Sequence, residues 1–197
     1  MVTQSSTRGR RQEILDAALR CFTAFGYART SIEDVVRESG ASVGSVYHHF
    51  GGKEQLAAAL YVQALADYQD GFMRELRREG ASAEQAVRGL VRYHLRWVRR
   101  KQDLARYLIT HREADVEAAT SGVVDGMNRE VFAATRRWAE RWAADLRELP
   151  LGMLYAIVIA PSQEFARQWL AGRHRNAIKF NEAERILEDA AWKAVKR

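Results

Sequence analysis

The stretch Thr30-Ser31-Ile32-Glu33-Asp34-Val35-Val36-Arg37-Glu38-Ser39-Gly40-Ala41-Ser42-Val43-Gly44-Ser45-Val46-Tyr47-His48-His49-Phe50 decides how the chain is read. Apolar side chains at Ile32, Val35 and Val36, and again at Val46 and Phe50, keep the three- and four-residue spacing of a helix face, and Gly40 parts the two runs. Thr30 with Glu33 three residues on has the form of a capping box: the hydroxyl accepts a backbone N–H and the carboxylate reaches back to the cap. A helix of about two and a half turns therefore begins there and ends at Gly40, which suits a left-handed C-cap. Ser42 supplies the next N-cap, and a third, very short helix runs to Phe50. Two short helices joined by a tight glycine turn form a helix-turn-helix, whose second helix turns its outer side toward base edges in the major groove.

On either side of this stretch the period stays helical. Ile14, Leu15, Ala18, Phe22 and Phe25 form one stripe of a helix over 8–26 that Gly26 closes. After Gly51-Gly52, Lys53 opens a long helix with Leu56, Leu60, Ala64, Tyr68 and Phe72 on one face. Five more segments follow, at 82–101, 103–118, 122–147, 151–172 and 180–195, with breaks at Gly80, Pro150 and Gly172-Arg173-His174. The expected fold is all-α, with about nine helices. A helix-turn-helix domain over 1–55 is joined through the long helix to a helical bundle over 56–197.

With Val46 and Phe50 turned inward, Ser42, Val43, Gly44, Ser45, Tyr47, His48 and His49 face outward or flank the third helix. They are small or hydrogen-bonding and include no Lys or Arg, so a close approach to a groove floor is open and a bidentate Arg–guanine contact is not expected. Helix N-termini carry free N–H groups and partial positive charge, which makes Thr30 and Ser31 candidates for one phosphate. Lys53 stands at the start of the fourth helix, where a cation is unfavourable in isolation and a bound phosphate would relieve the conflict. Tyr47 would donate its phenol to a third phosphate.

Thr30-Ser31-Ile32-x-x-Val35, then Ser39-Gly40-Ala41-Ser42-x-Gly44-Ser45-Val46-Tyr47-x-His49-Phe50-x-x-Lys53-Glu54-x-Leu56, resembles the TetR family of transcriptional regulators over residues 8–60. The resemblance implies a recognition helix from Ser42 to His49, with Thr30, Tyr47 and Lys53 on the DNA backbone. It further implies a homodimer, usually a repressor, whose C-terminal domain binds a small effector and thereby alters the spacing of the two DNA readers. Gly51-Gly52 departs from the family, which usually has a polar cap there, and so does the recognition helix without Lys or Arg.

Beyond residue 60 the resemblance is architectural. Leu154, Ile157, Val158, Phe165 and Trp169, with Ile186, Leu187 and Ala190, make apolar stripes suited to a four-helix dimer contact. Tyr93, Trp97, Tyr107, His111, Met127, Phe132 and Trp138 are the candidate lining of an effector pocket, for a largely apolar or aromatic ligand. His94 and His111 read more simply as satisfied core or rim histidines.

The composition excludes several other classes. The 197 residues are 47% hydrophobic and 28% charged, within the globular range. The net charge is +6, of which residues 1–53 hold +2, so basicity alone does not locate a nucleic-acid face. No apolar run approaches the roughly 18 residues needed to span a bilayer, and 1–10 lack the apolar core of a secretion signal, so the expectation is a cytoplasmic protein. The single cysteine, Cys21, reads as core. His48 and His49 diverge by about 100° on a helix and have no third ligand, so no metal or other cofactor is expected. The chain lacks a phosphate-binding glycine loop and any nucleophile–base set, so it is not expected to be an enzyme. The competing reading is a helical protein-interaction module without DNA binding.

Overall fold

A computed structural model describes residues 3–110, 114–173 and 178–197. Within them lie ten helical segments: α1 (Thr3–Phe25), α2 (Ile32–Ser39), α3 (Val43–Phe50), α4 (Lys53–Leu76), α5 (Ala83–Arg100), α6 (Gln102–Thr110), α7 (Ala114–Arg141), α8 (Leu151–Val158), α9 (Ala160–Leu170) and α10 (Phe180–Val195). The fold is all-α. The only other regular pairing among the described residues is a single backbone bridge between Leu146 and Lys196.

Several boundaries differ from the sequence reading. The break expected at 119–121 is absent, because Thr120 and Ser121 turn their hydroxyls back onto the Val116 and Ala118 carbonyls (2.7 and 3.3 Å) and continue α7. The segment 151–172 is two helices, α8 and α9, bent at Ile159: Pro161 has no N–H to give the preceding turn. Counted as one bent helix, α8 and α9 bring the total to nine. The capping box also sits one residue later. Ser31 is the N-cap of α2; its Oγ accepts from the Asp34 N–H (3.1 Å), and Asp34 Oδ2 accepts from the Ser31 N–H (2.9 Å). This register puts Ile32 at the first helical position and buries it.

The chain packs as two compact units. The first is Met1–Leu65 with Asp103–Val124, and the second Ala66–Gln102 with Asp125–Arg197. Residue 55, the boundary read from the sequence, lies within α4, and the first unit continues past it to Leu65. The core of the first unit is built from Ile14, Leu15, Ala18 and Phe22 of α1, Ile32 and Val35 of α2, Val46 and Phe50 of α3, and Leu56 and Leu60 of α4. Burial of these aliphatic and aromatic side chains is the force that seats the short α2 and α3, since helices of eight residues do not persist alone.

In the second unit, α5 is amphipathic and packs against α8, α9 and α10. Its outer edge repeats Arg88, Arg92, Arg96 and Arg99, and each meets α10: Arg88 with Asp189 (2.9 Å), Arg92 with both oxygens of Glu188 (2.8 and 2.5 Å), Arg96 with Glu184 (3.1 Å), and Arg99 with Asn181 (2.5 Å). Glu184 and Glu188 are buried, so these directed contacts pair them with arginine and fix the rotation of α10 about its axis.

Candidate functional site

The α2–α3 turn is set by backbone chemistry. Gly40 adopts φ +65° and returns its N–H to Val36 O (2.9 Å), while Ser42 Oγ accepts from the Ser45 N–H (3.1 Å) to start α3. At the far end Gly51, at φ +80°, closes α3 on Tyr47 O (2.8 Å). The helix is thus as short as the sequence predicts, and its orientation is fixed by two anchors: Val46 is fully buried and Phe50 is 8% exposed. Opposite them Val43 is 44% and Tyr47 51% exposed; Ser42, Gly44 and His48 are exposed too, and Ser45 and His49 are half-buried. A surface of hydroxyls, imidazoles and one exposed valine is able to donate and accept at base edges and to touch a thymine methyl.

The flanking groups differ from the sequence expectation. Thr30 is buried, and its hydroxyl donates to Gly26 O (2.8 Å), closing the turn after α1, so its side chain is not available to a phosphate. The Ser31 N–H and hydroxyl both donate to Asp34 Oδ2 (2.9 Å each), which holds the Asp34 carboxyl below its ordinary range. The start of α2 therefore already carries its own anion. Lys53 escapes the α4 dipole without a phosphate: Nζ lies 3.4 Å from Ala28 O and 4.3 Å from the centre of the Tyr27 ring. A cation that the sequence reading passed over, Arg11, lies over the Phe50 ring at 5.0 Å, at the C-terminal end of α3. The run Arg8-Gly9-Arg10-Arg11, exposed on α1, was its visible signal.

Residues 14–60 match the family model described as bacterial regulatory proteins, tetR family. That segment is a tetR-family DNA-binding domain. The chain is 28% identical over 195 residues to the HTH-type transcriptional repressor KstR2 of Rhodococcus jostii (strain RHA1), covering 98% of this chain and 81% of that one. A TetR family transcription regulator from Marinobacter aquaeolei VT8 shares the fold (TM-score 0.77, 19% identity, 100% of this chain and 99% of the other). So does the regulator FadR of Bacillus subtilis, solved in complex with stearoyl-CoA (TM-score 0.73, 13% identity, 91% and 96% covered). Over residues 14–60 the chain accordingly carries the DNA-binding domain of bacterial transcriptional regulators, with α2 and α3 as its helix-turn-helix.

The second unit gathers some of the residues named for an effector and disperses others. Tyr93 and Trp97 meet Tyr68 (ring centroids 5.7 and 5.1 Å), and Phe72 and His94 join them (5.9 and 5.7 Å from Tyr68). Trp97 Nε1 donates to Asp67 (2.8 Å), and Tyr93 Oη to Tyr68 O (2.7 Å). Gly71 makes room for Tyr93, since a Cβ there would fall on the Tyr93 ring. Met127 is half-buried beside Asn128, which accepts from Gln69 Nε2 (2.9 Å).

Tyr107 belongs elsewhere: it is buried in the core of the first unit, stacked on Phe22 (6.0 Å), with its hydroxyl on Ala57 O (2.9 Å). Phe132 is 57% exposed on α7, Trp138 is buried, and His111 lies outside the described residues. None of these side chains lines the groove of about 360 Å³ formed by Arg136, Glu140, Leu146, Arg147, Leu154 and Arg197, among others. Tyr68 and His94, which the sequence reads as a stripe residue and a core or rim histidine, meet here through their hydroxyl and Nδ1 (3.0 Å). Only tertiary packing brings them together.

Of the residues named for a dimer contact, Leu154 and Val158 are buried within the chain and have no area left to give. Ile186 (54% exposed) and Ala190 are exposed, and Ile157, Phe165, Trp169 and Leu187 are half-buried. Met153 and Tyr155 of α8, which the sequence reading did not select, are exposed as well.

Proposed function

We propose that the chain is a ligand-responsive repressor that binds a pseudo-palindromic operator as a homodimer and is released by a small, largely apolar or aromatic molecule. The observation that carries the DNA-reading part is the disposition of α3: Val46 and Phe50 are in the core while Val43, Tyr47 and His48 are outside. Base reading falls to Ser42, Val43, Gly44, Ser45, Tyr47, His48 and His49. Lys53 and Arg11 are the cations at its margins, and Thr30 and Ser31 serve as turn and cap. One recognition helix covers only a few base pairs, and two-fold pairing is the usual remedy. Support for pairing comes from the apolar surface left on α8 and α10, where Met153, Tyr155, Ile186 and Ala190 are exposed.

DNA recognition is assigned to residues 1–55 and effector binding with dimerisation to 56–197. The half-buried aromatic group of Tyr68, Tyr93 and their neighbours supports an apolar or aromatic effector. That the Bacillus subtilis FadR was solved with stearoyl-CoA supports a ligand role for the equivalent fold. The test is a gel shift with DNA flanking the protein's own gene, repeated across a salt series, together with sedimentation at micromolar concentration. A specific complex formed by a dimer and dissolved by a hit from a small-molecule thermal-shift screen is the expected result. Absence of a specific complex at every salt concentration would favour the interaction-module reading.

A further inference from the structure

We propose that His94 donates its Nε2–H to a neutral carbonyl or hydroxyl oxygen of an otherwise apolar effector held among Tyr68, Phe72, Tyr93 and Trp97. This rests on the reading of the second unit as the effector-binding one. His94 is 6% exposed, and its Nδ1 lies 3.0 Å from the Tyr68 hydroxyl. Its Nε2 is buried with no partner among the described residues.

Proton counting assigns the roles. A neutral imidazole carries one proton, and a phenol has one to give. If Tyr68 donates to Nδ1, the proton of His94 is on Nε2, and one group, that N–H, is unmet. The reverse assignment leaves both the phenol proton and the Nε2 lone pair unmet in a desolvated place. The first arrangement is favoured, because each buried unmet polar group is costly. Burial keeps the imidazole neutral by moving its pKa down to about 4.

The other polar groups of the cluster are already used. Trp97 Nε1 is on Asp67, Tyr93 Oη on the Tyr68 carbonyl, and Gln69 on Asn128. A single donor set among four aromatic rings suits one acceptor oxygen on an apolar body. It does not suit a carboxylate, which would enter beside Asp67 with a neutral imidazole as its only donor. Tyr68 and Tyr93 are half-buried, so the cluster is not sealed.

The matched probes are 2-acetylnaphthalene and 2-ethylnaphthalene, which differ chiefly in the carbonyl. Their dissociation constants are measured with the full chain by ligand-observed NMR. The ketone is expected to bind about tenfold more tightly than the hydrocarbon, and His94→Phe should abolish the preference while retaining the hydrocarbon. Tyr68→Phe, which keeps the ring and removes the orienting hydroxyl, provides a second variant and should reduce the preference. In protein labelled with ¹⁵N-histidine, His94 should show a protonated Nε2 and a bare Nδ1.

Equal affinities in the wild type, or the opposite tautomer, would overturn the donor assignment and leave the effector reading standing. Failure of both probes to bind would overturn the aromatic site itself. Selective ketone binding that leaves a DNA complex intact would instead support the donor and count against the effector role.

Discussion

Gly71 sits in the middle of α4, where alanine is ordinarily worth about 1 kcal/mol more than glycine. Here the sign should reverse. A Cβ at this position would fall far inside van der Waals contact with the Tyr93 hydroxyl and ring, so Gly71→Ala must expel Tyr93. Expulsion breaks the bond from Tyr93 Oη to Tyr68 O (2.7 Å), worth about 1 kcal/mol, and separates the ring from Tyr68 and Phe72 (5.7 and 6.3 Å), worth roughly 0.5–1.5 kcal/mol for each pair. After subtracting the gain in helix propensity, the variant should be destabilised by about 1–3 kcal/mol. In a Tyr93→Ala background the obstruction is gone, and Gly71→Ala should then stabilise by about 1 kcal/mol. Urea unfolding followed by far-UV circular dichroism on the four proteins of this cycle should give a coupling of about 2–4 kcal/mol. A Gly71→Ala protein more stable than wild type, or an equal effect in both backgrounds, would refute the packing argument.

Other outcomes follow from the same contacts. Lys53→Ala should weaken binding to every DNA sequence and make the slope of log affinity against log salt shallower by about one unit, measured by fluorescence anisotropy. Arg92→Ala should cost about 2–3 kcal/mol in urea unfolding, because it leaves the buried Glu188 carboxylate without its bidentate partner, and Arg92→Met combined with Glu188→Leu should recover most of that loss. The folded chain refuses a proton at His94 that the unfolded chain accepts. Stability should therefore fall as pH drops from 6.5 toward 4, by about 3 kcal/mol over that window, and His94→Gln should flatten this part of the profile. Ile186→Glu with Met153→Glu should shift sedimentation to the monomer without altering far-UV circular dichroism.

The helix-turn-helix was legible because its signals are local. Ser42, Gly40 and Gly51 act through their own backbone, and Val46 and Phe50 mark the inner face by spacing alone. The capping register was misread because Thr30/Glu33 and Ser31/Asp34 both fit the pattern. Only the burial of Thr30 against the Gly26 carbonyl selects the second. Ala-Thr-Ser-Gly at 119–122 has the composition of a loop, yet Thr120 bonds within the helix. In the second unit the signals are pairwise across distant segments. The spacing of Arg88, Arg92 and Arg96 was visible, but nothing local says that Asp189, Glu188 and Glu184 are their partners. The same holds for Tyr68 and His94, 26 positions apart, and for Tyr107, whose helix α6 belongs to the first unit.

The four polar contacts between α5 and α10 have a mechanical consequence. Apolar contact alone lets one helix roll or slide on another at little cost, whereas a fork of two directed bonds resists both. Tyr93, His94 and Trp97 occupy the side of α5 roughly opposite the arginines, so any axial displacement of α5 from that side loads every arginine contact at once. The two helices then travel as one stiff strut, carrying the outward-facing Ile186 and Ala190 with them.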